Sequence, residues 1–415
     1  MAAILDALKA ATDGHVADAT AEDHVAGVPA QWVASPGSTA ETSALLTAAA
    51  AHGLTVVARG AGTKLAWGAA PESVDLVVDT TRMSHVVEHA AGDLVVVAGA
   101  GRSLDDLERD LASADQRLGI DPPRRGTLGG AVATGATGPG RLFHGAVRDL
   151  LIGVRFVRAD GVAAHAGGKV VKNVAGYDLG KLLTGSFGTL GVITEVAFRL
   201  HPNPAAQRWV TGPASEPSRI QQLASALAHS QLALSAVELD RSADDSSVAV
   251  LVEGTGPGVE HRAAEATRLM GEGSHETDTP PDWWGTEPAS PSGVLVKVTH
   301  EIARLGTLLE ALDAAAATTG LRVALRGSPA VGTALVGLAG LDGDDLAAAV
   351  HGFVAHLRAG AAAFGGSVVV LEAPPEVRDG LDVWGPVEAL DLMRAVKDRF
   401  DPERRLAPGR FVGGI

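Results

Sequence analysis

The feature that most restricts the fold of this chain is a dense run of glycines between Gly126 and Gly145. Seven glycines fall in this part of the segment RRGTLGGAVATGATGPGRLFHG. Glycine inside a helix or a strand loses backbone entropy on folding and offers no side chain to pack. We therefore predict an extended path here, along which the backbone approaches another group closely.

A second glycine cluster lies upstream, in the stretch TVVARGAGTKLAWG from Thr55 to Gly68. An apolar strand ends at Arg59, and two glycines, a threonine and a lysine follow within five residues. Successive backbone N–H groups in a tight glycine-rich turn form a concave anion site. A phosphate group is therefore a natural ligand for this loop, and a simple surface turn is the alternative.

Neither common phosphate-binding motif fits the upstream loop. The P-loop requires G-x-x-x-x-G-K-[ST], but Thr63 and Lys64 follow the two glycines in the wrong spacing. The dinucleotide fingerprint requires a third glycine where Leu65 stands, and a helix directly after it. Two separated glycine-rich segments nevertheless suit an elongated ligand with several polar groups, such as a dinucleotide.

Composition removes several classes of function. The chain of 415 residues has a net charge of −15 and no cysteine. It lacks the basic stripe of a nucleic-acid binder, and it has no thiol for a disulfide, a nucleophile or an iron–sulfur cluster. We find no signal peptide, no stretch near the ~20 apolar residues of a membrane span and no metal-ligand spacing. We expect a cytoplasmic protein that reaches the inner face of the membrane only through partners.

The order of the elements predicts an α+β chain. Short strands and helices alternate over the first 200 residues or so, until Pro202 and Pro204 interrupt the pattern. Asp160-Gly161 joins two strand-like segments and predicts a hairpin. The second half contains several apolar strands separated by helical segments, which predicts helices on one face of a largely antiparallel sheet. The predicted helices lie at about 217–229, 258–270, 301–318 and 344–360.

Four motifs, in order, resemble the FAD-binding domain of the vanillyl-alcohol oxidase/PCMH flavoprotein superfamily. They cover about residues 30–200 and read VVARGAGTKLAWG, DPPRRGTLGGAVATGATGPGR, GAVRDLLIGVRFVRADG and GGKVVKNVAGYDLGKLLTGSFGTLGVITEV. The stretch GGKVVKNVAGYDLGKL, together with the tail RFDPERRLAPGRF, resembles more narrowly the FAD-binding E subunits of bacterial glycolate oxidases.

The resemblance implies a particular architecture. It consists of a two-subdomain PCMH-type FAD-binding domain and an antiparallel α+β cap domain, with a C-terminal tail that returns to the FAD-binding domain. We expect an N-terminal segment at 1–29, the FAD-binding domain at 30–204, a cap domain for substrate or partner at 205–375, and the tail at 376–415.

The resemblance also implies which residues contact the cofactor. The upstream loop would wrap the FAD pyrophosphate with backbone amides, and the two later segments would line the flavin and the adenine. In many relatives a histidine in the upstream loop, or a cysteine, tethers FAD. The loop of this chain has no histidine and the chain has no cysteine, so we expect non-covalent FAD. Arg410, in the tail motif APGR, is a further candidate contact. The expected FAD-binding residues are Arg59, Gly60, Ala61, Gly62, Thr63, Lys64, Thr127, Leu128, Gly129, Gly130, Ala133, Thr134, Gly138, Gly176, Tyr177, Gly188, Gly191, Val192 and Ile193.

The residues for catalysis are less defined. Oxidation of a 2-hydroxy acid needs a base for the hydroxyl proton and a cation for the carboxylate. The histidine-rich motifs of the catalytic relatives are absent, which leaves the base unassigned, with His144 and Arg326 as candidates. For a lone histidine such as His144, a structural role is the alternative.

Three functions remain open at this point. The first is an FAD-binding subunit of a glycolate or other 2-hydroxy-acid oxidase or dehydrogenase complex, beside a catalytic flavoprotein subunit and an iron–sulfur subunit. The second is a free-standing FAD-dependent oxidase or dehydrogenase of a hydroxy acid or an alcohol. The third is a structural flavoprotein subunit that binds FAD without turnover.

Overall fold

The computed structural model describes residues 2–169, 177–242 and 245–415. The chain divides into two compact units and passes between them more than once. It returns to the first unit at Pro386, whereas the tail was expected to begin at residue 376. The first unit comprises Met1–Thr137, Gly145–Asn203 and Pro386–Ile415, and the second comprises Gly138–His144 and Pro204–Gly385.

Helices occur in both units. They are α1 Ala2–Ala11, α2 Thr39–Ala51, α3 Leu104–Ala112, α4 Leu128–Thr134, α5 Arg141–His144, α6 Val147–Leu150, α7 Leu179–Leu183, α8 Pro217–Ala228, α9 Gly256–Met270, α10 Leu305–Thr319, α11 Gly343–Phe364, α12 Pro375–Arg378 and α13 Leu390–Phe400. Among the described residues, no helix is both long enough and apolar enough to cross a membrane.

The strands of the first unit precede those of the second in the chain. The first unit holds β1 Val16–Asp18, β2 His24–Val25, β3 Val28–Pro29, β4 Trp32–Ala34, β5 Val56–Arg59, β6 Leu76–Asp79, β7 Val86–Ala90, β8 Val95–Gly99, β9 Gln116–Arg117, β10 Leu151–Val157, β11 Ala163–Gly167, β12 Val192–Arg199 and β13 His201–Pro202. The second unit holds β14 Ala206–Pro213, β15 Ala236–Arg241, β16 Ser246–Gly254, β17 His275–Thr277, β18 Leu295–Thr299, β19 Arg322–Ser328, β20 Thr333–Ala339 and β21 Val368–Glu372.

The first sheet of the first unit has the order β1-β4-β6-β5, in which β4, β6 and β5 run parallel. The side chains of Leu45 and Leu46 on α2 are fully buried in one apolar cluster with Leu76 of β6. Helix α2 begins where the Ser38 hydroxyl accepts a hydrogen bond from the Glu41 amide at 3.1 Å, the usual N-cap arrangement. Strand β5 of this sheet ends at Arg59, and the upstream glycine loop starts there.

The second sheet of the first unit has the order β11-β10-β12-β8-β7 and is antiparallel throughout. The hairpin at Asp160-Gly161 forms as predicted, since Val157 pairs with Ala163 across it. Phe156 of β10 and Phe198 of β12 are almost completely buried in one apolar cluster on this sheet. Each such side chain contributes roughly 1.5–3 kcal/mol of hydrophobic stabilisation, so this cluster is the main core of the unit.

The downstream glycine segment is not the extended path that we predicted, because it contains the helix α4. The Thr127 hydroxyl accepts a hydrogen bond from the Gly130 amide at 3.2 Å and caps the helix. A Cβ added at Gly129 would lie only 2.8 Å from the Ala100 Cβ. The glycines therefore allow α4 to lie directly against the chain after β8, and this close approach outweighs their low helix propensity.

The second unit is built on one sheet of order β17-β14-β16-β15-β19-β20-β18-β21, and every pairing in it is antiparallel. Leu308 of α10 and Phe353 of α11 are completely buried in this unit. The predicted α+β class and the antiparallel second sheet are confirmed.

Candidate functional site

One cavity of the first unit collects most of the residues expected at the cofactor. Five separate parts of the chain contribute to its wall: the end of β5 with its loop, the end of β6, α4, the turn before β12, and the tail. Its lining residues are Ala58, Arg59, Gly60, Ala61, Gly62, Thr63, Lys64, Leu65, Thr80, Thr127, Gly129, Gly130, Ala133, Thr134, Phe187, Gly188, Gly191, Ile193 and Arg410.

The cavity is narrow, with a volume of about 80 Å³. Ligand sites commonly measure about 300–1,000 Å³, so this space holds only part of a large ligand. A second cavity of about 590 Å³ shares the loop residues Arg59–Thr63 with the first. The upstream glycine loop therefore borders space in two cavities.

The glycine loop and the first turn of α4 approach each other closely. A Cβ added at Gly60 would lie 2.1 Å from the Thr127 hydroxyl oxygen, far inside van der Waals contact. Any side chain at position 60 would therefore displace Thr127, which caps α4. The sequence needs glycine at position 60 to bring these two walls of the cavity together.

The side chain of Arg59 is held by carboxylates. Its guanidinium lies 2.6 Å from the Asp23 carboxylate and 3.0 Å from the Asp79 carboxylate. The hydrogen bond from Arg59 is the largest cause that lowers the pKa of Asp23, from 3.8 to about 2. Arg59 can thus serve a ligand through its backbone, while its charge is compensated by two acidic groups.

Lys64 is buried and fixes the end of the loop. Its ammonium donates a hydrogen bond of 2.5 Å to the Arg124 carbonyl, and it lies 5.9 Å from the centre of the Trp67 ring. Only 8% of the Lys64 residue is exposed. A lysine in this setting joins the upstream loop to the start of the downstream glycine segment, and it keeps positive charge at the cavity wall.

Arg410 binds the same loop from the C-terminal tail. Its guanidinium donates to the Leu65 carbonyl at 2.8 Å and to the Trp67 carbonyl at 3.3 Å. It also lies 6.0 Å from the centre of the Phe187 ring, which belongs to the opposite wall. The residue is 4% exposed, so the sequence motif APGR delivers a buried cation to the cavity.

The wall opposite the loop comes from the turn before β12. Gly191 and Ile193 line the cavity, whereas Val192 between them is fully buried in the core. Successive side chains of a strand point to opposite faces, and this alternation explains why the Val192 side chain does not line the cavity. Phe187 lines the same wall with a φ of +54°, the left-handed region.

Among the described residues, three other expected FAD-binding residues do not line the cavity. Leu128 is completely buried on the core side of α4. Tyr177 is 91% exposed, so it is neither a wall residue nor a core aromatic. Gly138 belongs to the second unit, and Gly176 lies outside the described residues.

Five wall residues were not among the expected FAD-binding residues: Ala58, Leu65, Thr80, Phe187 and Arg410. Ala58 and Leu65 adjoin predicted residues in sequence, so extending the predicted segments by one residue would have found them. Arg410 was considered as a contact because of its motif. Phe187 likewise adjoins the predicted Gly188, whereas no local pattern marks Thr80, which only the tertiary fold brings to the cavity.

The two candidates for catalysis both lie in the second unit. His144 is 7% exposed, and its ring meets the Phe143 ring edge-on at 5.1 Å. The Arg326 guanidinium lies 2.5 Å from the Asp240 carboxylate and donates to the Glu287 carbonyl at 2.6 Å. These contacts give Arg326 a structural role between β19 and β15. In the part of the chain that is described, no group of acidic and histidine residues could hold a metal.

Comparison with known proteins identifies the domain that supplies most of the cavity wall. Residues 30–167 match the family model of an FAD binding domain. The chain is 44% identical over 124 residues to glycolate oxidase subunit GlcE of Escherichia coli, which covers 29% of this chain and 35% of that protein. It is 39% identical over 175 residues to a D-lactate dehydrogenase of Archaeoglobus fulgidus, which covers 41% of this chain and 38% of that protein. The aligned part thus spans little more than a third of these curated relatives.

A solved structure shares the fold over most of the chain. Alkyldihydroxyacetonephosphate synthase superposes with a TM-score of 0.69 at 17% identity, covering 92% of this chain and 77% of that one. The predicted resemblance to PCMH-type FAD-binding domains is confirmed, and so is FAD as the cofactor. Relatives of the matched region include oxidoreductases named for hydroxy acids.

Proposed function

We propose that this chain is the FAD-binding subunit of a complex that oxidises a 2-hydroxy acid, with glycolate as the first candidate substrate, to the 2-oxo acid. The observation that carries the proposal is the cavity of the first unit, whose wall combines the upstream glycine loop, α4 and the turn before β12. Bound FAD supplies an acceptor for two electrons. The residues of this chain supply its binding site and its surroundings.

The wall residues fit an extended anionic cofactor. The backbone of Gly60–Lys64 offers amide donors for a pyrophosphate, while Lys64 and Arg410 place positive charge at the wall. Ile193 and Phe187 offer apolar surface for a ring. Because the cavity measures about 80 Å³, we expect it to widen when FAD binds.

Non-covalent binding follows from the chemistry of the loop. Covalent attachment would require a nucleophilic side chain such as histidine or cysteine, and the loop offers Thr63 and Lys64 instead. The Lys64 Nζ donates a hydrogen bond to the Arg124 carbonyl, so this nitrogen is already engaged by the protein backbone. FAD should therefore leave the protein when acid unfolds it.

The assignment to a complex rests on the similarity to the E. coli subunit, on the contacts that a candidate catalytic residue already makes and on the absence of cysteine. Arg326, one of the two candidates for catalysis, forms an ion pair with Asp240. The chain has no cysteine and cannot ligate an iron–sulfur cluster through thiolates. A catalytic flavoprotein subunit and an iron–sulfur subunit would supply the missing base and the onward electron path.

A free-standing FAD-dependent dehydrogenase is the second candidate, and the similarity to the A. fulgidus D-lactate dehydrogenase favours it. In that case the chain alone would accept electrons from its substrate. A structural FAD-binding subunit without turnover is the third candidate.

One experiment separates these functions. The visible spectrum of the purified chain is recorded alone, again on the supernatant after acid precipitation, and again after anaerobic addition of glycolate or D-lactate. Flavin that acid releases, and that the hydroxy acids bleach only when partner subunits are co-purified, supports the proposal. Bleaching of the isolated chain would replace it by the free-standing enzyme. No bleaching with partners present would favour a structural subunit, and no flavin after reconstitution with FAD would overturn all three.

A further inference from the structure

The side chain of Lys397, on α13, is completely buried although it does not line the cavity. Its ammonium donates three hydrogen bonds: to the Thr189 carbonyl at 2.8 Å, to the Asp401 carboxylate at 2.7 Å and to the Leu406 carbonyl at 2.9 Å. An ammonium has three N–H donors, so every donor of this lysine is used.

Two of the three acceptors belong to segments that build the cavity. Thr189 lies between Gly188 and Gly191, which line the wall opposite the glycine loop. Leu406 forms a parallel bridge with Val56, the first residue of β5. The Val56 amide donates to the Arg405 carbonyl, and the Ala407 amide donates to the Val56 carbonyl, each at 2.8 Å.

The position of β5 determines where the glycine loop begins, because the loop leaves the strand at Arg59. The tail fixes the first residue of β5, and Lys397 fixes the tail at Leu406. The same ammonium fixes the opposite turn at Thr189. One buried charge therefore connects both walls of the cavity. Its bond to the Thr189 carbonyl joins residues that are 208 positions apart in the chain.

The Asp401 carboxylate completes the cluster. It accepts from Lys397 and from the Leu406 amide, each at 2.7 Å, and it is completely buried. Burial is the largest influence on the pKa of Lys397 and lowers it, while Asp401 opposes this shift. Replacing a buried ion pair by apolar residues often costs little stability, so the pair does not need its charges for stability alone.

We propose that Lys397 is a positioning residue of the FAD site, which sets the separation between the glycine loop and the Phe187–Gly191 turn through its bonds to the carbonyls of Leu406 and Thr189. Lys397 does not line the cavity, so the proposal places it out of contact with the cofactor. The proposal concerns FAD binding by this chain and does not depend on the substrate of the complex.

The test compares three variants of the full chain. Lys397→Met keeps the length of the side chain and removes all three donors. Asp401→Asn removes the negative charge but keeps an oxygen that can accept from Lys397 and from the Leu406 amide. Lys181→Met is the control, because Lys181 also sits on a helix beside an aspartate, in an exposed pair with Asp178.

Three quantities are measured on each variant: the dissociation constant of FAD, the visible circular dichroism of the bound flavin, and the urea unfolding of the apo-protein. We expect Lys397→Met to weaken FAD binding on the order of tenfold, the equivalent of about one hydrogen bond, and to change the flavin spectrum. Asp401→Asn should bind FAD more tightly than Lys397→Met even where the two apo-proteins unfold at similar urea concentrations. Lys181→Met should match the unmodified chain.

Two results would overturn the proposal. One is a folded Lys397→Met protein with unchanged FAD affinity and an unchanged flavin spectrum. The other is a loss of affinity in Lys397→Met and Asp401→Asn that simply follows their loss of apo-protein stability. If Lys397→Met does not fold, the test of the proposal rests on Asp401→Asn alone. A purely structural ion pair predicts that the FAD affinity of Asp401→Asn falls together with the stability of its apo-protein. Failure of hydroxy-acid oxidation would leave these FAD measurements unaffected.

Discussion

The Arg59 guanidinium and the Asp23 carboxylate lie 2.6 Å apart, so the arginine at the head of the glycine loop is bound to the N-terminal segment of its own unit. Asp79 at the end of β6 completes the arrangement at 3.0 Å. The loop is thus fixed at its first residue by side-chain contacts, and the backbone that follows remains available to a ligand.

The pair of Arg59 and Asp23 should make stability depend on pH in the acid range. The folded-state pKa of Asp23 is lowered to about 2, below its ordinary value, so its contribution is fully present above about pH 4 and is lost as the pH falls through 2. We expect Asp23→Asn to lower the free energy of unfolding by about 1 kcal/mol at pH 7, after allowance for solvent near the pair. Urea unfolding between pH 7 and pH 2 measures this difference.

The matched control for that measurement is Asp18→Asn, because Asp18 is an exposed residue at the end of β1. A difference between Asp23→Asn and the unmodified chain that is as large at pH 2 as at pH 7 would contradict the lowered pKa, because a carboxyl with a pKa of about 2 is half protonated at pH 2.

Gly60 should be required for tight binding of the cofactor. In Gly60→Ala the new Cβ would lie 2.1 Å from the Thr127 hydroxyl oxygen, so the loop and α4 must move apart. We expect FAD binding to weaken by more than about tenfold, which corresponds to roughly 1.4 kcal/mol. Quenching of flavin fluorescence on titration with FAD gives the dissociation constant.

Gly92→Ala serves as the control, because a Cβ there would meet no atom within 4 Å. Equal affinities of the two alanine variants for FAD would show that the walls of the cavity tolerate the displacement.

Arg410 should be replaceable by neither lysine nor methionine. One nitrogen of its guanidinium donates to the carbonyls of Leu65 and Trp67, and a lysine cannot also present a flat guanidinium near the Phe187 ring. We expect Arg410→Lys to lower the free energy of unfolding by about 1–3 kcal/mol and to weaken FAD binding as well. Urea unfolding with and without FAD measures both effects.

Arg404→Lys is the corresponding control, since the Arg404 side chain is 44% exposed and pairs only at the surface with Asp398, among the contacts described. If Arg410→Lys were as stable as Arg404→Lys, Arg410 would have no role in holding the loop.

Arg326 should behave as a structural residue of the second unit. Arg326→Met leaves the Asp240 carboxylate and the Glu287 carbonyl without this donor, and we expect the free energy of unfolding to fall by about 1–2 kcal/mol. The amount of FAD bound per chain should not change. The exposed Arg304→Met is the control, and a selective loss of hydroxy-acid oxidation in a complex with an equally stable Arg326→Met chain would instead restore Arg326 as a carboxylate clamp.

The sequence predicts the class of the fold and the position of the glycine loop because these depend on local patterns. The hairpin at Asp160-Gly161 and the antiparallel second sheet follow from turn residues and apolar strands. The helix α4 was missed because its glycines are selected by a close contact with Ala100, and propensity contains no information on such contacts.

The same distinction applies to the candidate site. Gly60 and Thr127 belong to recognisable glycine-rich segments, so both could be placed at one ligand before the structure was known. The Val192 side chain does not line the cavity, because a strand alternates its faces and the predicted run of neighbouring residues was taken whole. Phe187 adjoins the predicted Gly188, whereas Thr80 has no signal of its own, and only tertiary packing shows its position.

The contact between Arg410 and the Leu65 carbonyl spans 345 residues of chain, and this separation bears on biosynthesis. A ribosome that has synthesised the glycine loop still has the whole second unit to translate before Arg410 emerges. The loop cannot be held from both sides during that interval. FAD should therefore be acquired after translation has passed residue 410, and nascent chains stalled within the second unit should emerge from the ribosome without the cofactor.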